Sequence, residues 1–405
     1  MSRPRRPARR GLVTRAAAML LGAVVAVAGI LAMQLPLLHQ RDRATLTLAH
    51  LPATGDLAPA LVWPSEGSAA VVIPAYGVKV SSNNDVVPIA SLTKMMTAYV
   101  TLHRLPLSGD ESGPCVTVND ADLALYQHMV KTGQSAVAIA TGEVICERDL
   151  LGGLLVHSAN DYAVLLAAMV AGSVSHFADL MNATAASLGL THTHYVEPSG
   201  YKPGSVSTAL EQGELAVDLM ASPLVRSIVS MTTITLPVAG TVATFTPYLG
   251  VDNVIGVKSG RTEAAGGCVV MAMTFQRGAA TETLYAVVLG QRGGNLLGPA
   301  GAAALSLALS ARDNQVLLTF ARGTVVGSIG WGDHTTPIVL TATHRVWWWA
   351  GAGPLAASIQ LRARRAGVAR GEVVGTLSVA TDPTRRFAIS ARHRAAPPTI
   401  WQRLR

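Results

Sequence analysis

The chain has 405 residues, half of them apolar, with 38 glycines and 21 prolines; that is too long for one ordinary core and too apolar for a disordered chain, so two folded units are expected. The net charge of +8 sits at the ends: residues 1–43 carry eight arginines against Asp42, residues 362–405 carry ten against Glu372 and Asp382, and 44–361 holds 14 basic and 21 acidic groups. An acidic body with basic ends lacks the folded basic face a nucleic-acid partner needs, and it suits ends that meet an anionic membrane surface.

Residues 1–15 form a basic segment, and residues 16–38 run 23 positions without a charge. As a helix this stretch spans about 34 Å, enough for a hydrocarbon core, with the arginines keeping the N-terminus cytoplasmic. It reads as an uncleaved transmembrane anchor; Ala26-Val27-Ala28 would be the cleavage site of a removed signal peptide, but apolar sequence continues beyond it. Either way the remainder is exported. In that setting Cys115 and Cys146 are the plausible disulfide and Cys268 the odd thiol, with three buried thiols as the alternative.

Residues 39–60 read as a linker. The pattern over 68–80 predicts two short strands around a turn at Pro74 and Gly77, and a helix is expected to begin at Ser91, since Leu92, Met95, Met96, Tyr99 and Val100 recur at helical spacing. A strand, turn and strand are expected over 136–147, and short apolar helices over 150–157 and 161–170. Central strands are expected at 251–257 and 267–274 with a tight turn at Gly260, a further strand at 280–290, and a closing helix at 301–311. Helices and strands intermix without regular alternation, which gives an α+β domain over 61–314. From 315 to 395 short strands separated by glycine and proline predict a small C-terminal β-domain, and 396–405 a basic tail. Trp347-Trp348-Trp349 suits a glycan or membrane surface, but such a run more often fills a β-domain core.

Five of the 32 basic residues are lysine. Lysine, unlike arginine, can be driven by burial to accept a proton. Lys94 closes Ser91-Leu92-Thr93-Lys94; one helical turn separates the two, which puts a potential base beside a weak hydroxyl nucleophile. A second copy, Ser199-Gly200-Tyr201-Lys202, is bracketed by Pro198 and Pro203 and reads as a loop. Ser158-Ala159-Asn160 supplies a hydroxyl and an amide between two helices, although Ser158 alone reads as a helix cap. Lys258-Ser259-Gly260 on an edge strand supplies a cation and a hydroxyl, with glycine allowing close backbone approach.

In this order, the three motifs resemble those of the penicillin-recognising serine enzymes, and most closely the low-molecular-weight D-alanyl-D-alanine carboxypeptidases. The resemblance covers about residues 60–312 and includes Gly256-Val257-Lys258-Ser259-Gly260-Arg261-Thr262 and, in place of an Asn-Pro-x-Gly turn, Glu197-Pro198-Ser199-Gly200. It implies a penicillin-binding/beta-lactamase-like transpeptidase domain, with Ser91, Lys94, Ser158 and Asn160 catalytic and Lys258, Ser259, Gly260, Arg261 and Thr262 binding substrate. Backbone N–H groups of Ser91 and Arg261 would hold the oxyanion. The implied partners are peptidoglycan stem peptides and beta-lactams; no metal or organic cofactor is implied. D,D-endopeptidase activity uses the same residues. Glu197 raises the beta-lactamase alternative, and a catalytically weak cell-wall scaffold is the alternative from another class. The family's arginine at the start of the last helix is missing from 293–299, leaving Arg261 or Arg292 to take a substrate carboxylate.

Overall fold

The computed structural model describes residues 24–25, 45–48, 59–331, 334–352, 355–362, 367–380 and 382–397. Nearly all of the expected anchor at 16–38, and most of the linker and tail, lie outside them. Among the described residues no single helix is long and apolar enough to cross a membrane. The chain divides into two compact units. One is Gly55–Val316 with Trp347–Gly353, and the other comprises Met1–Thr54, Leu317–Val346 and Pro354–Arg405.

The first unit is built on an antiparallel sheet of strands β1 (Ser68–Ile73), β2 (Val78–Ser81), β3 (Val254–Thr262), β4 (Gly266–Arg277) and β5 (Ala280–Gln291), in the order β3-β4-β5-β1-β2. Both faces are covered, so the strands read as nearly continuous apolar runs. The two-residue period still decides which side chain goes where. Val72, Val257, Val270, Ala272 and Val287 join a core with Met95, Leu151, Leu166 and Phe177, whereas Val71, Val269, Met271, Ala286 and Val288 meet Ala300, Ala304, Leu307 and Ala308. The first group faces helices α1 (Thr93–Arg104), α2 (Glu147–Val156), α3 (Asn160–Ala171) and α4 (Ala209–Leu219); the second faces α5 (Leu297–Asp313). This is an α+β arrangement with β3 at the sheet edge.

Three local expectations change. The stretch 136–140 is not a strand; Val144–Cys146 pairs instead with Cys115–Thr117, and a disulfide joins Cys115 to Cys146. The backbone of 134–137 serves α3, with Ser135 O accepting from Asn160 N and Val137 N donating to the Asp161 carboxylate. Gly260 lies inside β3 rather than in a turn, and the bend comes at 263–265, closed by Ala265 N donating to Thr262 Oγ1 at 3.0 Å. Ser91 stands in a 3-10 turn, Ala90–Leu92, that runs directly into α1.

The tryptophan run is core. Trp348 and Trp349 are buried, and Trp349 donates its indole N–H to Ala311 O at 2.7 Å. The second unit carries a six-stranded sheet ordered Thr45–Leu48, Val325–Trp331, His334–Leu340, Asp382–Ala391, Val373–Val379, Ala357–Leu361. Residues 45–48, within the stretch read as a linker, thus form an edge strand. Buried Val326, Ile329, Ile338, Val374, Leu377 and Ile389 supply this unit's core.

Candidate active site

Ser91 is held by a left-handed neighbour. Ala90 has φ +48°, and the Ala90–Leu92 turn aims Ser91 into a cleft also lined by Ser135, Ser158, Phe245, Ser259, Gly260, Arg261 and Leu297. A non-glycine residue in this region costs about 1–3 kcal/mol, which the packed core around α1 must offset. No breaker interrupts the chain after Leu92, so α1 starts at once and carries Lys94 in its first turn.

Lys94 is fully buried, and its Nζ donates to Ser91 Oγ at 2.9 Å, Asn160 Oδ1 at 2.6 Å and Ser199 O at 2.6 Å. Burial pulls its pKa down to about 7, against the opposing pull of the Glu197 and Asp161 carboxylates. The amine therefore exchanges a proton near neutrality, beside a hydroxyl that needs a base.

Asn160 opens α3. Its Nδ2 donates to Gln134 Oε1 at 2.8 Å, which fixes Oδ1 toward Lys94. Asp161 is buried and accepts from Val137 N; its pKa is raised to about 7, chiefly by burial. Ser158 departs from the cap reading. The α3 N-cap position belongs to Ala159, no side chain caps the helix, and Ser158, at φ +61°, turns its buried side chain to the cleft.

On β3, Lys258 is buried and donates to Ser259 O at 2.8 Å; burial first, and Lys94 second, hold its pKa well below the usual lysine range. Ser259 Oγ donates to Phe245 O at 2.7 Å. A β-carbon on Gly260 would meet Ser91 N at 2.5 Å, so glycine is what lets the edge strand approach the nucleophile turn. Arg261 is exposed along the cleft, whereas Thr262 closes the turn that follows. Arg292 also serves that turn, donating to Glu263 O at 2.9 Å. Leu297, at the start of α5, occupies the cleft wall.

Ser91, Ser158, Ser259, Gly260 and Arg261 thus line one cleft, and Lys94 and Asn160 are hydrogen-bonded behind Ser91, whereas Lys258 and Thr262 do not line it; the seven that come together are scattered over about 170 positions. A profile for D-alanyl-D-alanine carboxypeptidase, peptidase family S11, matches residues 66–293. The chain belongs to this family.

Two curated relatives are D-alanyl-D-alanine endopeptidases. The one from Pseudomonas aeruginosa is 34% identical over 53% of this chain and 68% of its own length, and the one from Escherichia coli is 35% identical over 51% and 66%. The D-alanyl-D-alanine carboxypeptidase DacC of Escherichia coli is 36% identical over 32% of this chain and 33% of its own. Among solved structures, penicillin binding protein 6B from Escherichia coli matches with a TM-score of 0.57 at 24% identity, covering 85% of this chain and 99% of that one. Penicillin binding protein 5 from Haemophilus influenzae gives 0.57 at 20% identity, covering 83% and 99%. The three curated relatives are each named as a peptidase of D-alanyl-D-alanine, and the two solved structures as penicillin binding proteins.

Several residues of this site were not singled out from sequence. Gln134 reaches the site through its side-chain hydrogen bond with Asn160, Ser135 through loop backbone, and Phe245 and Leu297 carry no motif. The discarded Ser199-Gly200-Tyr201-Lys202 segment is a loop, as read, yet its Ser199 carbonyl holds the Lys94 amine.

Proposed function

We propose that this S11 peptidase cleaves the D-alanyl bond of peptidoglycan peptides outside the cell through a Ser91 acyl-enzyme. The observation that carries the reading is the contact of 2.9 Å between Ser91 Oγ and a fully buried Lys94 whose pKa is about 7. Lys94 takes the hydroxyl proton as Ser91 Oγ attacks the D-alanyl carbonyl carbon. Backbone N–H groups of Ser91 and Arg261 stabilise the oxyanion. The C–N bond then breaks, and the leaving amine receives its proton by way of Ser158 and Lys258. Water hydrolyses the ester and restores Ser91. A strained beta-lactam amide enters the same first step.

Within this chemistry, cross-link cleavage by a D,D-endopeptidase is the favoured reading. Leu297 lines the cleft, Arg292 is engaged by turn carbonyls, and the two endopeptidases align over the larger share of this chain. The leaving group of an endopeptidase is a peptide, which offers the cleft more contacts than the carboxylate of a single D-alanine. Removal of a terminal D-alanine is the second reading, favoured by Arg261 in the cleft. The Cys115–Cys146 disulfide supports an oxidising, extracytoplasmic location, and residues 16–38 would supply the anchor.

Residues 39–405 incubated with a fluorescent penicillin, beside Ser91→Ala, test the acyl-enzyme. Stable label lost in the variant is expected. Folded protein that neither labels nor turns over the drug would promote the cell-wall scaffold. Rapid turnover without label would favour a beta-lactamase. Hydrolysis of a cross-linked muropeptide dimer against a free pentapeptide then separates the two peptidase readings.

A further inference from the structure

Glu197 stands where the family's turn has asparagine, and its side chain is buried. Oε2 accepts from Ser199 N at 2.6 Å and from Ser199 Oγ at 2.7 Å, while Oε1 accepts from Lys202 N at 3.3 Å. These bonds close the turn on itself. An ionised carboxylate is acceptor-only and suits such a set of donors; a primary amide offers one accepting oxygen.

The closed turn lies against the nucleophile segment at three successive residues. Pro198 O accepts from Thr97 Oγ1 at 2.6 Å, Ser199 O accepts from Lys94 Nζ at 2.6 Å, and Gly200 packs on the Ala90 carbonyl. The charged groups that act on Lys94 are the carboxylates of Glu197 and Asp161, which favour its ammonium form, and Lys258, which repels it.

We propose that Glu197 is a positioning residue for the base: by closing its own turn it holds the Ser199 carbonyl on the Lys94 amine. The inference rests on Lys94 acting as the base for Ser91. It also removes Glu197 from acyl-enzyme hydrolysis, because the carboxylate is committed to its own turn and does not line the cleft.

The test is the second-order rate of acylation by a fluorescent penicillin from about pH 5 to about pH 9 in the wild type, Glu197→Gln and Glu197→Asp. Glu197→Gln removes an opposite charge, so the acid limb should move down by about one pH unit. Glu197→Asp keeps the charge but is too short for all its donors; its limb should stay while its plateau falls at least about fivefold, a loss of about 1 kcal/mol of transition-state stabilisation. A Gln limb superimposed on the wild type overturns the proposal, as does an Asp plateau equal to the wild type. The Asp arm decides should the Gln protein fail to fold. Absence of wild-type label, or label that survives Ser91→Ala, would instead strike the acyl-enzyme reading before any Glu197 variant is compared.

Discussion

A β-carbon on Gly200 would lie 1.8 Å from the carbonyl oxygen of Ala90. Gly200 has φ +78° and Ala90 φ +48°, so two left-handed residues, from a loop and from the nucleophile turn, press backbone to backbone. No rotamer change relieves that contact. Gly200→Ala is therefore expected to cost at least about 2 kcal/mol and to slow acylation, because the loop must leave Lys94 to make room. Denaturant midpoints and penicillin labelling rates check it; wild-type values for both would show that the contact yields easily.

The pH dependence follows from the sign of the Lys94 shift. Its pKa falls from 10.5 to about 7, and the free amine is the base, so acylation should rise with pH through about 7 and level off above it. Lys94→Met fills the buried space without a base and should slow acylation roughly 10²–10⁴-fold at neutral pH, with the inflection gone. An inflection that persists in the Met variant would assign it to another group.

Cys115 and Cys146 close a loop with a sequence separation of 31. Replacing both with serine should lower stability by roughly 2–4 kcal/mol through the freer unfolded chain. Thermal melts of the oxidised protein and the variant, run together, measure it. Coincident melts would mean that the hairpin around the bond carries no part of cooperative unfolding.

Leu297→Arg would place a guanidinium on the cleft wall beside Arg261. A charge-assisted hydrogen bond contributes about 1.5–3 kcal/mol, so hydrolysis of a peptide with a free D-alanine carboxylate should rise about tenfold or more. Cross-linked dimer hydrolysis should rise less, because its larger leaving group makes other contacts as well. Equal gains on both substrates would show that position 297 does not face the carboxylate.

Much of the site was legible because its chemistry is local. Ser91 and Lys94 are one turn apart, and Ser158, Asn160, Lys258 and Gly260 announce themselves by residue type. Contacts made by backbone were not legible: any residue at 199 offers a carbonyl, so nothing in its letter marks it as a partner of Lys94, 105 positions away. Ser158 misled for a related reason. A serine before a helix is usually a cap, and only its left-handed φ, a tertiary outcome, frees the hydroxyl from that role. The sheet was legible from apolar runs, but 136–140 was not, since Val137 N donates to the Asp161 carboxylate of α3 and Ala140 exchanges hydrogen bonds with Glu143 rather than with a neighbouring strand.

The three acceptors around Lys94 differ in one respect that valence counting brings out. An ammonium has three hydrogens, and Ser91 Oγ, Asn160 Oδ1 and Ser199 O receive one each. The amide and the peptide oxygen can only accept, whereas the hydroxyl can also donate. When the lysine gives up a proton, its two remaining hydrogens stay with the two obligate acceptors. The lone pair then points at Ser91, and the act of becoming a base also aims it.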